Sequence, residues 1–344
     1  MPDYEARYEI RQAYYKDIDN IMAYIDDDWR KGHIMARDRR MFEYEFLEDD
    51  GSVNVVIAID RGTQKIEGMI GYLYSSSDRT KRDVWGSIWK VRDGNMSLLG
   101  VEIMKRMETI SKCRYNLGTG ANPKTNIPLM RVMFGRTAAK MEHYYKLGNV
   151  PKDGYKIANV PDDYAQICLK KDDKNIKCVK RIHSADELTS LFSSDACINA
   201  IPYKDAWYID KKFFKHPIYE YEVYGIQRAD DDYIAAFVLR KQEACGHVCY
   251  RMVDFIGDFS AIALTKDFFD DILAGESCAE YVDFYCLGMN EEDMDKAGFD
   301  SVNDDIIIPN YFSPFVQQNI DIWVHYPVEG VTFVKADGDQ DRPN

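Results

Sequence analysis

The sequence VWGSIWKVRDGNMSLLGVEIMKRMETI, residues 84–110, decides the fold because it changes from a strand pattern to a helix pattern across a glycine turn. Residues 84–91 are rich in β-branched and aromatic side chains, which is typical of a strand. The polar segment Arg92-Asp93-Gly94-Asn95 then indicates a turn. From Met96 to about Ile110, apolar side chains recur at helical spacing. The stretch therefore predicts a strand, a turn and a helix in succession, which is typical of an α/β protein.

On either side of this unit, the first half of the chain contains further strands and helices. The patterns predict strands at residues 8–12, 53–60, 65–74, 115–120, 140–147 and 155–160. They predict helices at residues 15–29, 37–46 and 127–134, and Gly135 closes the last of these. The resulting order is β-α-α-β-β-β-α-β-α-β-β.

The second half of the chain repeats this order of elements. Its predicted strands are 176–182, 221–227, 235–241, 248–258, 280–288 and 306–309. Its helices are predicted after Ser184, where Ser-Ala-Asp-Glu has the capping-box spacing, at 207–214, at 266–273 and before Gly298.

The polar stretch at residues 170–175 separates the two halves. A chain of 344 residues is long enough for two domains of ordinary size. The sequence therefore predicts domains at 1–170 and 175–335, a boundary near residue 172 and a flexible tail at 336–344.

The composition indicates a folded protein and excludes several classes. Hydrophobic residues make up 46% of the chain and aromatic residues 13%, which is ample for two cores. The sequence has no signal-peptide pattern and no apolar run long enough for a membrane span, so a cytoplasmic location is expected. Eight cysteines are too few for a disulfide framework in such a chain, and we expect them to be reduced. A formal charge of −14 disfavours DNA and anionic membranes as partners.

Two segments carry a resemblance to a known family. Trp89–Gly94 running into Leu98–Met104, and the helix ending Ala297-Gly298-Phe299, resemble the GCN5-related N-acetyltransferase superfamily, GNAT. In that superfamily two helices follow the first strand, and the turn after the fourth strand receives the pyrophosphate of coenzyme A. The resemblance covers almost the whole chain as two copies. It implies an α/β (α+β) fold of two consecutive domains, each a mixed, mostly antiparallel sheet flanked by helices.

A narrower resemblance concerns the biological context. The segments HIMARDRRMF (33–42), GTGANPKTNIPLMRVMFG (118–135) and MEHYYKLGN (141–149) are similar to GNAT-type proteins of bacterial surface-polysaccharide clusters. Related enzymes in such clusters acylate amino sugars. The resemblance therefore implies a small-molecule acceptor, either an amino sugar or a nucleotide-linked sugar.

The coenzyme site implied by the resemblance lies at the turn after residue 91. The GNAT pattern at this turn is Arg or Gln, two residues, Gly, one residue, Gly or Ala, and backbone N–H groups at the helix start attract phosphate. The aligned residues are Asn95, Leu98 and Gly100, so only the final glycine is kept. A leucine at this position disfavours a close approach of the pyrophosphate. The expected contacts with acetyl-CoA or another acyl-CoA come from Val91, Gly94, Asn95, Leu99, Gly100 and Asn122.

Two of these inferences have open alternatives. Asn122 precedes Pro123, so it is also compatible with an ordinary Asn-Pro turn. In the second copy, Asp258 stands where the phosphate would bind, which is unfavourable for an anion. We therefore expect the second copy to be the poorer coenzyme site.

The segment His143-Tyr144-Tyr145 is the densest candidate for catalysis. Acyl transfer to an amine needs a base for the amine proton and an acid for the departing thiolate. In a strand, His143 and Tyr145 share one face and Tyr144 lies on the other. Tyr144 stands four residues before Gly148, as the GNAT acid stands before its glycine, although Phe134-Gly135 matches that helix end better and puts Arg131 at the acid position. The alternative for these aromatic residues is simple packing of a sheet.

Candidate acceptor contacts are spread over both halves. His33 and Asp38 lie between the first two helices, and Trp89 ends the fourth strand, whereas Arg251, Asp254 and Tyr311 lie in the second half. The alternatives are a solvated loop histidine and a structural salt bridge. Cys245-Gly-His-Val-Cys249 falls on a predicted hairpin turn without a second ligand pair, so no metal is expected.

The leading functional hypothesis is an acyl-CoA-dependent N-acyltransferase without a metal. In this hypothesis the N-terminal domain binds acyl-CoA, the C-terminal domain contributes to the acceptor pocket, and a homodimer is compatible with the sequence. One rival is a Fem-type transferase, which takes its acyl group from aminoacyl-tRNA and needs no pyrophosphate turn. The charge of −14 counts against that rival. The other rival is a binding protein that kept the GNAT fold and lost catalysis.

Overall fold

The computed structural model of the protein describes residues 3–161, 178–228 and 232–343. By their internal contacts these residues form two compact units. The first unit comprises Met1–Ala138, His325–Val328 and Gly338–Asn344, and the second comprises Ala139–Val324 and Glu329–Asp337.

Each predicted helix is present, although the one predicted at 15–29 is divided into 3₁₀, α and π segments and the structure adds the short helices Tyr4–Arg7, Ile34–Arg37 and Asp195–Ile198. The α-helices of the described part are α1 Tyr4–Arg7, α2 Ile18–Tyr24, α3 Ile34–Arg37, α4 Arg39–Phe46, α5 Leu99–Ser111, α6 Asn126–Phe134, α7 Thr189–Phe192, α8 Asp195–Ile198, α9 Ala206–Ile209, α10 Lys266–Gly275 and α11 Glu291–Ala297. Shorter 3₁₀ or π segments are Tyr15–Asp17, Ile25–Trp29, Lys152–Gly154, Ala185–Leu188, Asp210–Phe214 and Phe259–Leu264. The capping box predicted at Ser184 is present, with Glu187 as its acid.

The strands form two main sheets. The strands of the described part are β1 Tyr8–Tyr14, β2 Ser52–Asp60, β3 Ile66–Tyr74, β4 Val84–Val91, β5 Asn116–Gly118, β6 Thr137–Lys140, β7 Glu142–Leu147, β8 Val179–Ile182, β9 Glu222–Gln227, β10 Tyr233–Ala244, β11 His247–Gly257, β12 Ala279–Leu287, β13 Asp300–Ser301, β14 Tyr311–Phe312, β15 Phe315–Val316, β16 Trp323–Tyr326 and β17 Phe333–Val334. Strands β14 and β15 form a small separate hairpin.

The first sheet has the strand order β1-β2-β3-β4-β5-β16-β6. Its first four strands are antiparallel neighbours, whereas β4 and β5 are parallel. A parallel pair needs a crossover, and α5 provides it. Strand β2 is buried on both faces, because Val55 packs with α2 and α4 while Val56 packs with α5. The helices therefore cover both faces of this sheet.

The second sheet repeats this plan. Its strand order is β13-β7-β12-β11-β10-β9-β8, and β17 also pairs with β12. Strands β11 and β12 are parallel, and α10 is the crossover between them. Aromatic side chains dominate the core on the α10 face, including Phe237, Phe255, Phe269 and Phe284. The predicted fold class, mixed and mostly antiparallel sheets flanked by helices, is confirmed.

The structure divides the chain differently from the sequence prediction. The boundary predicted near residue 172 lies outside the described residues. However, β7, which the sequence analysis assigns to the first domain, pairs with β12 in the second sheet. Conversely, β16 from the second half pairs with β5 in the first sheet. The local pattern of a strand does not specify its sheet, because strand pairing depends on contacts with distant residues.

Residues 336–343 are packed, in contrast to the flexible tail predicted at 336–344. Ala336 and Asp337 are fully buried, and the Ala336 N–H donates to the Val253 carbonyl at 2.6 Å. Further along, Arg342 pairs with Glu45 at 2.8 Å. The polar composition of this segment suggests an exposed tail, but its charged side chains have partners within the fold.

Two predicted strands are irregular in the structure. Residues 155–160 and 306–309 are joined by the isolated bridge between Asn159 and Ile307. Ile157, Ile306 and Ile308 are nevertheless buried in one cluster. Their apolar runs reflect burial without a regular ladder, a case that periodicity does not distinguish from a strand.

Two further properties complete the description. No helix in the described residues is long and apolar enough to cross a membrane. The seven cysteines in the described part are free thiols, of which Cys197, Cys249 and Cys286 are buried and Cys245 is exposed.

Candidate functional site

Strands β4 and β5 diverge in the middle of the first sheet. They pair over only three residues each, Val84–Gly86 with Asn116–Gly118. Strand β5 then ends, whereas β4 continues to Val91. The register between β3 and β4 shifts here, and Ile88 is the extra residue, with φ of 36°. A bulge beside the end of a neighbouring strand redirects the chain, so β4 beyond Gly86 presents an edge that β5 does not cover.

The turn from β4 to α5 has two unusual backbone positions. Gly94 has φ of 80°, and Leu98, the N-cap of α5, has φ of 61°. A left-handed conformation at leucine costs roughly 1–2 kcal/mol, and the Leu98 side chain is 48% exposed. Gly100 lies close to Trp89, since a Cβ at residue 100 would be 3.3 Å from the indole ring. The turn therefore brings the start of α5 directly onto the end of β4.

Asn95 holds the shape of this turn. Its Nδ2 donates to the carbonyl oxygens of Arg92 at 2.9 Å and Glu67 at 3.2 Å. Its Oδ1 accepts a hydrogen bond from the Tyr8 hydroxyl at 2.8 Å. The Asn95 side chain thus bonds within the protein, and its contribution to a coenzyme site is to position the backbone of the turn.

Two further predicted coenzyme contacts, Leu99 and Asn122, use their side chains to pack in the core and to form a turn. Leu99 is buried and packs with Val91 in the core between the sheet and α5. The Asn122 carboxamide oxygen accepts from the N–H groups of Lys124 at 2.9 Å and Thr125 at 3.3 Å. These bonds form the Asn-Pro turn that leads into α6, which is the alternative considered for Asn122.

A buried histidine lies on the other edge of β5. His325 of β16 pairs with Gly118, and the side chain is only 4% exposed. A Cβ at residue 118 would overlap the imidazole, so only glycine permits this close approach. Burial and the charge of Arg136 lower the pKa of His325 to about 4. Its Nδ1 is buried and has no hydrogen-bond partner among the described residues.

A polar cluster surrounds Ser87, which lies on the face of β4 opposite to that of Gly86. Asp339 Oδ2 accepts from the Ser87 hydroxyl at 2.8 Å, and Arg342 Nη2 donates to the same hydroxyl at 2.7 Å. Arg342 also pairs with Glu45 at 2.8 Å and with Asp339 at 3.1 Å. Burial lowers the pKa of Arg342, but the two carboxylates outweigh this effect and raise it overall. We call Ser87, Glu45, Asp339 and Arg342 the Ser87 cluster.

His33 and Asp38 are both helix caps. His33 Nδ1 accepts from the Met35 N–H at 3.2 Å at the start of α3, and Asp38 Oδ1 accepts from the Met41 N–H at 3.0 Å at the start of α4. His33 is buried rather than solvated. Burial, followed by the positive charge of Arg342, lowers the pKa of His33 to about 4.

The predicted catalytic residues lie in the second sheet, on β7. His143 Nε2 is 3.0 Å from Asp283 Oδ2, and its ring stacks on Tyr285 at 3.7 Å between centroids. Burial lowers the pKa of His143 in spite of the neighbouring carboxylate. Tyr144 is on the other face, as the strand period predicts, and belongs to the core of the second sheet. Its hydroxyl donates to the exposed Glu142 at 2.9 Å.

Arg251 shares Asp283 with His143. Its Nε and Nη2 donate to the two Asp283 oxygens at 3.0 and 2.8 Å, and its other donors bond Asn310 at 2.9 and 3.0 Å. Burial raises the pKa of Asp283, but Arg251 and His143 outweigh it and hold this pKa well below its usual range. Tyr145 is the cross-strand partner of Asp283. Tyr311, in contrast, is 44% exposed.

Asp254 belongs to another buried ionic cluster of the second unit. It pairs with Lys204 at 2.8 Å, accepts from the Tyr208 hydroxyl at 2.9 Å, and is fully buried. Lys204 also pairs with Asp337 at 2.8 Å. The sequence-predicted residues thus divide between the units, with His33, Asp38 and Trp89 in the first and Arg251, Asp254 and Tyr311 in the second.

Sequence reasoning missed the Ser87 cluster and His325. Asp339 and Arg342 lie in the segment predicted to be flexible, and their partners Ser87 and Glu45 are about 250 to 300 positions earlier in the chain. The signal that existed was local: Trp323-Val-His-Tyr326 is rich in side chains that favour a strand, but this pattern does not indicate the contact of His325 with Gly118.

The cysteine pair considered for a metal is part of a hairpin. Cys245 and Gly246 form the turn between β10 and β11, and Cys249 is buried. In the part of the chain that the structure describes, no three metal-ligating side chains come together.

Comparison with known proteins gives similarity at the level of structure. No protein-family model matches the chain, and no curated protein is significantly similar in sequence. A conserved protein of unknown function from Enterococcus faecalis V583, described as a probable N-acyltransferase, has a TM-score of 0.52 and 8% identity, covering 94% of this chain and 73% of its own. A GCN5-related N-acetyltransferase from Anabaena variabilis also has a TM-score of 0.52, with 9% identity, covering 93% of this chain and 72% of its own. The chain therefore has a GNAT-type fold.

Proposed function

We propose that the protein is an acyl-CoA-dependent N-acyltransferase with its coenzyme site in the first unit. The observation that carries this proposal is the divergence of β4 and β5 beside the β4–α5 turn, within a GNAT-type fold. Fold similarity alone does not establish an activity. An acyltransferase activity therefore requires that the residues at the divergence fit an acyl-CoA.

The edge of β4 fits the arm of the coenzyme. Beyond Gly86, the main chain of β4 has no β5 residue opposite it in the described sheet. An extended ligand with amide groups binds such an edge in the manner of an added strand. The pantetheine arm of coenzyme A has this chemistry. In this proposal the main chain of residues 87–91 holds the arm.

The start of α5 fits the phosphates. Leu98 gives no side-chain hydrogen bond to the helix, and the first N–H groups of a helix carry a partial positive charge that favours anions. Gly100 brings these groups close to Trp89 at the end of β4. The left-handed Leu98 takes the position of the family's glycine, and its exposed side chain makes this a weaker phosphate site than the full pattern would give.

The Ser87 cluster fits the acceptor amine. When bound, acyl-CoA supplies a thioester whose carbonyl carbon the amine attacks, forming a C–N bond while the C–S bond breaks. The cluster has two carboxylates and one guanidinium, hence an excess of one negative charge, which favours an amine that arrives as a cation. Asp339 is the candidate to take the amine proton, and Ser87 and Arg342 hold its carboxylate in place.

The finer identity of the acceptor is also a proposal. The segments 33–42 and 118–135 resemble proteins that act on amino sugars, and the second segment contains Gly118, where β4 and β5 separate. We therefore propose an amino sugar or a nucleotide-linked sugar as the acceptor. His143, Tyr144 and Tyr145 then have structural roles, because His143 belongs to the buried Arg251–Asp283 network.

One observation favours a second candidate. Leucine in place of glycine at residue 98 weakens the phosphate site, and a transferase that uses aminoacyl-tRNA does not need one. The formal charge of −14 opposes the binding of RNA. A binding experiment distinguishes the two candidates.

The test is thermal unfolding of the full chain with acetyl-CoA, a longer acyl-CoA and free coenzyme A. A ligand at about 100 times its Kd stabilises the folded state by about 2.7 kcal/mol, so we expect a higher Tm. Gly100→Glu should abolish the shift, because it places a bulky anion at the phosphate site. The control is Gly275→Glu, since a Cβ at residue 275 meets open space. Absence of a shift at millimolar ligand contradicts the proposal and favours the tRNA-dependent or the non-catalytic alternative.

A further inference from the structure

We propose that His325 binds the acyl-bearing end of the coenzyme arm, through a hydrogen bond from its Nδ1 to a carbonyl oxygen of that arm. This inference rests on the proposed function, because it assigns a new contact to the same site. Neither the sequence pattern nor the fold family assigns a role to this residue.

The position of His325 follows from strand register. Gly86 of β4 is the last residue that pairs with β5, and its partner is Gly118. On its other side, Gly118 pairs with His325 of β16. Residues directly opposite each other in a sheet project to the same face. Gly86, Gly118 and His325 therefore form one row, at the level where β4 and β5 separate.

Two glycines give this row the space for a ligand. At Gly118 the imidazole itself takes the place of a side chain, since a Cβ would overlap it. At Gly86 a Cβ would meet only Ile70 Cδ1, at 3.8 Å. The row therefore has a flat surface over β4, and the imidazole of His325 borders it. An arm that follows β4 passes over this surface.

The chemistry of His325 suits an uncharged ligand. Burial and Arg136 lower its pKa to about 4, so the imidazole is neutral near pH 7 and has one N–H donor and one acceptor nitrogen. A neutral donor matches the carbonyl oxygens of amides and thioesters, whereas a phosphate would favour a cation.

The unpaired nitrogen is the independent observation. Nδ1 is buried and has no hydrogen-bond partner among the described residues. Buried polar groups in proteins are nearly always paired, and an exception calls for an explanation. A ligand carbonyl at the divergence supplies the missing partner. A donor aimed at a thioester carbonyl also stabilises the negative charge that develops on its oxygen during acyl transfer.

The test compares two probes on the full chain. Acetyl-CoA contains the arm, whereas adenosine 3′,5′-bisphosphate contains only the nucleotide part. We expect His325→Leu to weaken acetyl-CoA binding at least tenfold in calorimetry and to leave bisphosphate binding unchanged. His325→Asn, whose amide nitrogen occupies nearly the position of Nδ1, should restore part of the affinity. His183→Leu, at an exposed histidine of the second unit, is the matched control.

A spectroscopic readout keeps the inference testable if the leucine variant does not fold. In protein with ¹⁵N-labelled histidine, the Nδ1 resonance that His325→Asn removes should shift with acetyl-CoA and stay unchanged with the bisphosphate. If acetyl-CoA binds but neither this resonance nor the affinity of His325→Leu changes, His325 has only a structural role and the inference is overturned, while the proposed function stands. If the wild-type protein does not bind acetyl-CoA, both fail together.

Discussion

The two parallel strand pairs of this protein have the same topology but different surfaces. In the first unit, β4 and β5 pair over three residues and their last row is Gly86–Gly118. In the second unit, β11 and β12 pair from Val248–Ala279 to Met252–Phe284, and the row before the last is Arg251–Asp283. Beyond Met252 they also separate, since β11 continues to Gly257 while the end of β12 pairs with β17. One row leaves a flat surface at a divergence, and the other is filled by a buried ion pair. The comparison indicates that both units keep the sheet plan and the separation of the parallel strands, and that in the second unit residues 333–336 of the chain itself bond to the separated strands.

The turns that follow β4 and β11 also differ between the two units. After β4, the N-cap of α5 is Leu98, which offers the helix no side-chain hydrogen bond. After β11, Asp258 caps the next helical segment, and its carboxylate accepts from the Ser260 N–H at 3.0 Å. The second unit thus has a carboxylate at the N-cap position where the first unit has an apolar side chain.

The largest expected effect concerns the Arg251–Asp283 row, and it tests whether this ion pair stabilises the folded protein. Arg251→Met leaves the Asp283 carboxylate buried without its main partner, which costs about 3–5 kcal/mol in comparable cases. We expect this loss in the free energy of unfolding, measured by urea denaturation. The double variant Arg251→Met with Asp283→Leu should recover much of it, because no uncompensated charge remains. A small loss in the single variant would mean that this pair is not the main support of the row.

The next prediction concerns the glycine row of the first unit. Gly118→Val places a side chain where the His325 imidazole lies, and such overpacking costs roughly 1–3 kcal/mol. Acetyl-CoA binding should be lost as well, because the imidazole has to move. Gly275→Val is the control, since a Cβ at residue 275 of the second unit meets nothing within 4 Å. Equal effects of the two substitutions on unfolding and on ligand binding would contradict the special role of residue 118.

The same comparison shows what the sequence could predict. The strand Val84–Val91 and the helix ended by Gly135 follow from local patterns and agree with the structure. The local patterns do not predict the sheets to which β7 and β16 belong. The sheet of each strand depends on pairing with residues more than 130 positions away, as between Tyr285 and His143 or His325 and Gly118. The glycine pattern predicts the turn at Arg92–Asn95, although the helix begins at Leu99 and not at Met96. The Ser87 cluster, in contrast, depends on a polar segment whose partners are distant in sequence.

The next prediction concerns His33 and the pH dependence of stability, and its test needs no ligand. Burial, then Arg342, lowers the pKa of His33 to about 4, against 6.5 for an ordinary histidine. Between these values the unfolded chain binds a proton that the folded protein does not, so this residue makes stability fall as the pH falls from 6.5 to 4. His33→Asn removes the titration and keeps a good N-cap for α3.

Urea denaturation of both proteins across this range gives the measurement. The stability of the wild type relative to His33→Asn should decrease by roughly 1.4 kcal/mol per pH unit below pH 6.5. Between pH 7 and 8 the difference should be constant. A difference that does not change with pH would show that His33 titrates normally and is more accessible to water than its burial indicates.

The smallest expected effect concerns Leu98, the residue at which the first turn departs from the full GNAT pattern. Leu98→Gly relieves the left-handed leucine but adds the backbone entropy of glycine, and these effects nearly cancel, so stability should change by less than about 1 kcal/mol. An anion at a helix N-terminus gains about 0.3–1 kcal/mol, so unhindered access of the phosphates should tighten acetyl-CoA binding by up to about fivefold in calorimetry. Leu264→Gly, at a leucine of the second unit that is 44% exposed, is the control and should leave the affinity unchanged. Equal or weaker binding by Leu98→Gly would mean that the phosphates do not lie at the start of α5, and the first turn would then differ from the second in shape only.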